Sequence, residues 1–430
     1  MHARNRTWLL GSDPVERCRQ RTLPVEGGDG STLSLDFTTG VLDPRLTFTR
    51  STTGTFTNAS GLVASAAINT PRFDYDPSTL QPRGLLIEGS ASNLWTYSQD
   101  QSQWAVSNVT VNTGTQATAP DGTTSLFPVL TNTTSSVQYF VRQRSADSIT
   151  ATTGQVYTYS MFVKKGTHRY VQMFASATTI FTNAAQANFD LDDGTTGNVT
   201  NCTPTAVAYG NGWWRLSIAV TANASATQSQ PFLLYLVSSK TATRAENLSL
   251  SSQSIYVWGA QVELGSGASS YIPTGASQGT RNVDNCELLN LTTMGFNASA
   301  GTIYVDTGTR IGTGGRSYSF MPTSGINDQI FEGGGFLLNV YSSGTFVAQI
   351  GTGTASAAKI AAAYAVNDYA VSVNGGAPST DTAGALPTTI AKLTIGARDS
   401  SSVTQMNGCI RVFKYWPTRL PNAQLQSITT

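Results

Sequence analysis

Apolar side chains recur at every second position in this chain, in short runs broken by glycine, proline and Asp/Asn turns. That period is the signature of half-buried strands, whose side chains point alternately to opposite faces. Leu33, Leu35 and Phe37 alternate with Ser34 and Asp36, and Tyr157, Tyr159, Met161 and Val163 share one parity. Val171 and Met173 form one face of a further strand, and Trp214, Leu216, Ile218 and Val220 one face of another. Tyr256, Trp258, Ala260, Val262 and Leu264 repeat the pattern as a single face. Composition agrees. Ser and Thr make up roughly a quarter of the chain, there are 40 Gly, and charged residues are only 12%. That is about half the usual charged share of roughly 25%, and helix-forming Ala, Leu, Glu and Lys do not dominate. The reading is all-β: many short strands with tight turns.

Charge and rare residues exclude several functions. Lys and Arg total 26 against 25 Asp and Glu, so the net charge is +1. No basic surplus is present to neutralise phosphates, and no nucleic-acid partner is expected. The two histidines, His2 and His168, cannot build a multi-histidine zinc site, and a Ser-His-Asp triad has only His168 to use. Cys18, Cys202, Cys286 and Cys409 lie far apart with no CxxC pair, and are read as free, mostly buried thiols. Trp8-Leu9-Leu10 is too short for a signal-peptide core, and no run is long enough to span a membrane. The expectation is a protein made in the cytoplasm, with no membrane insertion.

The chain divides, on this reading, into five segments. Residues 1–30 form an arm, with Arg4, Arg6, Arg17, Arg19 and Arg21 giving +3 over 1–21, and Gly27-Gly28-Asp29-Gly30 as a hinge. Residues 31–84 are a β-rich collar, 85–275 a jelly-roll sandwich, 276–298 a polar linker, and 299–430 a second β-sandwich. In the last segment Asp368 to Val373 runs into Asn374-Gly375, a strong hairpin signal. Pro421 beside Asn422-Ala423-Gln424-Leu425 predicts one short terminal helix.

Several separate motifs occur in order. Pro71-Arg72-Phe73-Asp74-Tyr75-Asp76-Pro77 precedes Arg83-Gly84-Leu85-Leu86-Ile87-Glu88 and Asn93-Leu94-Trp95-Thr96-Tyr97-Ser98. Gly210-Asn211-Gly212-Trp213-Trp214-Arg215, Trp258-Gly259-Ala260-Gln261-Val262-Glu263-Leu264, Ser270-Tyr271-Ile272-Pro273-Thr274 and Thr280-Arg281 follow. From about residue 33 to 285 this series resembles the head-spike or fibre domain of tailed-bacteriophage structural proteins, a jelly roll similar to carbohydrate-binding modules. The chain departs from the commonest form of that group at Gly89-Ser90-Ala91-Ser92. Asn407-Gly408-Cys409-Ile410-Arg411-Val412 through Tyr415-Trp416-Pro417-Thr418-Arg419-Leu420 resembles the concanavalin-like lectin/glucanase domain that often closes such proteins. The resemblance implies a non-enzymatic virion surface protein, a head fibre, decoration or short spike. It implies a homotrimer, docked on a capsid or tail protein through the N-terminal arm and touching host-surface glycans. The alternative is a tail fibre or tailspike with polysaccharide depolymerase activity.

Three groups of residues carry candidate chemistry. Trp214 shares parity with the core residues of its strand, whereas Trp213 shares parity with Arg215 and Ser217 and is expected to be partly exposed. With Tyr209 and Arg215 it forms a candidate carbohydrate-binding surface, since an aromatic face offers apolar area with a polar tip. Asp190-Leu191-Asp192-Asp193-Gly194 is either a hairpin turn, which is the simpler reading, or a calcium loop. Among the seven glutamates, Glu88 and Glu263 fall in the motifs above, at strand ends where a structural role is simplest. No closely spaced E-x-D-x-E run is present, so no catalytic residue, metal or cofactor is assigned.

Overall fold

The computed structural model describes residues 28–111, 117–123, 128–131, 135–311, 315–351, 358–399 and 404–430. Nearly all of the expected docking arm, with His2 and Cys18, lies outside the described residues. The fold is all-β, with antiparallel strands in several sheets and one short α-helix, Asn422–Ile428.

Two β-sandwiches are nested rather than strung in series. In one sheet of the outer sandwich, Ala300–Arg310 and Gly408–Trp416 pair at the centre. Gly408–Trp416 also takes Leu33–Asp36 and Pro82–Ile87 as partners. In the facing sheet, Thr47–Thr49 pairs with Asn285–Leu288, which pairs with Lys392–Ile395. The core between the sheets therefore mixes Leu33, Leu35, Phe37, Leu85 and Ile87 with Ile303, Phe320, Phe413 and Tyr415. The strands of the inserted sandwich lie between residues 105 and 264 and form two six-stranded sheets; its separate core holds Tyr159, Met173, Ile218 and Val262, with Trp95 from the entering chain. Ala91–Asn93 pairs with Gly279–Arg281, so the insert is joined to the outer sandwich by a two-stranded neck.

This topology redraws the expected segments. Leu33–Asp36, Thr47–Thr49, Phe73–Tyr75 and Pro82–Ile87 of the expected collar, and Asn285–Leu288 of the expected linker, join the sheets of the C-terminal sandwich, while Gly54–Thr57 and Val63–Ala66 form a hairpin of their own. The physical reason is that alternation identifies a strand but not its partner. Leu33 pairs with Tyr415, across almost the whole chain.

A bulge corrects a second expectation. Opposite Ser160–Phe162, the strand Ser254–Leu264 carries an extra residue at Gly259, which has φ +60°. The bulge reverses the face of every following side chain. Ile255 and Val257 before it, and Ala260 and Val262 after it, point into the core of the insert. Tyr256 and Trp258 point to the other side, and Leu264 is exposed.

Other local signals map directly onto the structure. Asn374 and Gly375 have φ of 50° and 74°, and the Gly376 N–H returns to Val373 O at 2.9 Å. This is the primed turn that Asn-Gly favours, joining Asp368–Val373 to Ser379–Asp381. The terminal helix lays Leu425 on Ala361, Ala363 and Ala370, whose small side chains leave room for it. Gly84, at φ +95°, sits against the neighbouring strand: a Cβ there would lie 2.1 Å from Ile410 O. Gly84→Ala is therefore expected to cost more than ~2 kcal/mol through backbone strain and strand separation. The urea midpoint measures it, and an unchanged midpoint would contradict the packing.

Candidate functional site

Arg72, Asp74 and Asp76 occupy alternate positions, so three charges fall on one face of an extended segment. In a chain this poor in charge, that face needs partners. They come from Glu88 and Asp284, which flank the neck, and from Arg83. Arg72 is fully buried; its Nη1 lies 2.8 Å from Glu88 and donates to Thr55 O, and its Nη2 pairs with Asp284. Arg50 approaches the same Asp284 at 3.1 Å, and Arg281 approaches Glu88 at 3.2 Å. Arg281 Nη2 also donates to Gly89 O at 2.7 Å. Glu88 accepts the Ser270 N–H at 2.8 Å and its hydroxyl at 2.6 Å. Glu263 receives the equivalent pair of bonds from Ser269, at 2.9 and 2.6 Å.

The result is a buried seam of three arginines and two carboxylates where the neck meets both sandwiches. Burial pushes the Glu88 carboxyl up, but Arg281, Arg72 and the Ser270 bonds outweigh it and hold its pKa at about 2. Glu263 has hydrogen bonds but no ion pair among the described residues, and burial raises its pKa.

A cleft of ≈ 760 Å³ opens beside the seam, bordered by Asp74, Asp76, Arg83, Tyr209 and Arg215 among others. Asp74 is buried and accepts the Thr57 N–H at 2.7 Å, with Arg83 3.7 Å away. Burial pushes its pKa up to about 6. Two residues on, Asp76 is more open; burial is the largest single influence and raises it, but the Thr79 and Ser78 N–H groups and Arg83, at 2.7 Å, together outweigh it and hold it well below the usual range. One guanidinium thus lies between two carboxyls driven in opposite directions.

Asp74 makes folding stability depend on pH with a definite sign. Between its unfolded value of 3.8 and about 6, the folded chain keeps a proton that the unfolded chain has lost. Stability from this group therefore falls as pH rises through that window, by about 3 kcal/mol in all. Asp74→Asn is expected to remove the fall while keeping an acceptor for Thr57. Calorimetry at pH 4, 5, 6 and 7 should show the variant's advantage over wild type growing with pH; a constant difference would refute the shift.

The structure separates the three residues of the expected sugar surface. Tyr209 and Arg215 line the cleft, but Trp213 does not. Parity places Trp213 and Trp214 on opposite faces, and the face outside the insert's core is not solvent. It is covered by the hairpin Gly54–Thr57/Val63–Ala66 and by residues near 119. Trp213 is 1% exposed, packs with Phe162, Trp258, Tyr271 and Val63, and donates from Nε1 to Thr118 O at 3.0 Å. Trp214 is the half-buried one, at the rim of the core, with Nε1 on Leu191 O. Tyr209 packs edge-on to Phe162, and Arg215 donates to Ser269 O at 2.7 Å and Ser160 Oγ at 3.2 Å.

The remaining candidates take structural places. Asp190 to Gly194 is the turn between Ala185–Asp190 and Thr196–Thr200. Arg169 binds Asp190 at 2.6 Å, Lys165 binds Asp192 at 2.6 Å, and Asp193 accepts from Thr195. Among the described residues no cluster of three or more His, Cys, Asp or Glu is placed to hold a metal ion. His168 is buried with Nε2 on Val237 O, and burial lowers its pKa. Cys202, Cys286 and Cys409 are free thiols. No described helix is long and apolar enough to cross a membrane. Arg50, Asp74, Arg83 and Asp284 are not among the candidate site residues of the sequence, although Asp74 and Arg83 stand in its motifs; the run of charge at alternate positions 72, 74 and 76 is the available signal. No family model matches the chain, and no curated protein matches it.

Proposed function

We propose that this chain is a non-enzymatic bacteriophage virion protein, a surface spike or short fibre that adheres to host-surface glycans. One observation carries the reading. The separate motifs that resemble phage spike domains contribute Arg72, Glu88, Glu263, Ser270 and Arg281 to one buried seam. Those residues act as architecture, holding two sandwiches together, rather than as a catalytic constellation. In this role the N-terminal arm anchors the protein to the capsid or tail. Three copies associate through their β-domains, and repeated weak sugar contacts add up by avidity. Immunogold electron microscopy on purified particles, with antibody to the recombinant chain, tests it. Labelled particles are expected. Unlabelled particles, with an antibody that binds the native protein, would overturn the virion reading.

The second reading, a depolymerase, draws on the opposed carboxyls Asp74 and Asp76 in the cleft. It requires turnover of capsule or lipopolysaccharide that is lost in Asp74→Asn.

A further inference from the structure

We infer that the cleft between the sandwiches binds a carboxylate-bearing sugar, with Arg215 as the seat of the acid group. The inference rests on the adhesive reading above and gives it a place and a ligand class.

The starting point is an unbalanced charge. Arg215 is 9% exposed and lines the cleft, yet no carboxylate lies within ion-pair distance of it among the described residues. Its two terminal nitrogens reach only neutral oxygens, those of Ser269 and Ser160, and its flat face lies over the Phe162 ring at 5.3 Å. Glu263 feels the charge of Arg215 but makes no ion pair with it and spends its oxygens on Ser269 and Gln261. A buried guanidinium without a direct ion pair, its Nε unpartnered, is costly, and a ligand carboxylate that binds it recovers part of that cost. The other arginines of the lining are already matched: Arg83 with Asp76, Arg310 with Glu332, and Arg411 with Asp306. Among these arginines of the lining, Arg215 is the one without an ion pair among the described residues.

The rest of the lining suits a saccharide. The volume falls within the range of roughly 300–1,000 Å³ usual for small-molecule sites. Thr205 and Ser217 bring hydroxyls, and Phe56 and Tyr209 bring aromatic surface. Hydroxyls and an aromatic wall serve a pyranose ring, and a fixed guanidinium serves its carboxylate, the planar group that arginine binds best.

The test uses the full chain titrated with hyaluronan oligosaccharide and sialyllactose as acidic probes, and lactose as the neutral one. At least one acidic probe is expected to bind ten-fold or more tightly than lactose. Arg215→Gln should abolish that preference, and Arg215→Lys should keep part of it. Should Arg215→Gln fail to fold, Thr205→Trp provides an independent check, because Thr205 is exposed at the cleft and a bulky ring there fills it. Loss of binding in Thr205→Trp with an unchanged melting temperature supports the site. Equal binding of acidic and neutral probes, binding that survives both variants, or no binding of either acidic probe overturns it. Gold-labelled particles without acidic-sugar binding would sink this inference alone, whereas binding with unlabelled particles would sink the virion reading alone.

Discussion

Asp284→Ala is expected to destabilise the protein more than any other single change in the seam. Asp284 is fully buried and holds both Arg72 and Arg50, while one of its oxygens accepts the Glu88 N–H at 2.9 Å. Removing it leaves Arg50 with no carboxylate in ion-pair reach among the described residues, and leaves Arg72 to share Glu88 with Arg281. Breaking a buried pair by deleting one partner typically costs ~3–5 kcal/mol, because the surviving charge cannot be rehydrated. The damage should also be uneven. The insert has its own core and is tied to the outer sandwich through the neck and seam. Calorimetry of Asp284→Ala should therefore split the melt, with the outer sandwich unfolding first. Asp284→Asn, which keeps the acceptor for the Glu88 N–H, should fall between the two. A melt indistinguishable from wild type would show that the ion network does not couple the sandwiches.

Trp213→Ala is expected to cost ~3–5 kcal/mol, the usual range for deleting a buried Trp or Phe side chain. Its ring is packed by Phe162, Trp258 and Tyr271 and its N–H is satisfied by Thr118 O, so truncation opens a cavity and orphans an acceptor. Trp213→Phe refills most of the volume and should cost less. The urea midpoint decides between a core role and a surface role: a variant as stable as wild type would return the indole to the surface, where a sugar can reach it.

These two residues also show where one-dimensional reasoning stops. Parity correctly assigned Trp213 and Trp214 to opposite faces, and it correctly placed Tyr157, Tyr159, Met161 and Val163 together in the core. It was silent on what covers the second face, because the hairpin Gly54–Thr57/Val63–Ala66 comes from some 150 residues earlier in the chain. The same limit explains Gly259. A glycine inside a strand signals a bulge, but only the pairing with Ser160–Phe162 shows that the phase reverses there. Of the expected sugar residues, Tyr209 and Arg215 reach the cleft because they stand on adjacent strands, at Thr203–Tyr209 and Trp213–Thr221.

What the sequence determined by itself is local. Alternation set the all-β class, Asn374-Gly375 set a hairpin, and Pro421 marked the start of the terminal helix. Each depends on backbone preferences or side-chain direction within a few residues, and such terms act whatever the rest of the chain does. Tertiary structure alone decided that one sandwich is inserted in the other, that Leu33 pairs with Tyr415, and that Arg50, Arg72, Glu88, Arg281 and Asp284 meet. A strand of given pattern can pair with many others of the same pattern. The choice among them is made by the summed burial of distant apolar faces and by the requirement that every buried charge find a partner, and both are properties of the assembled fold.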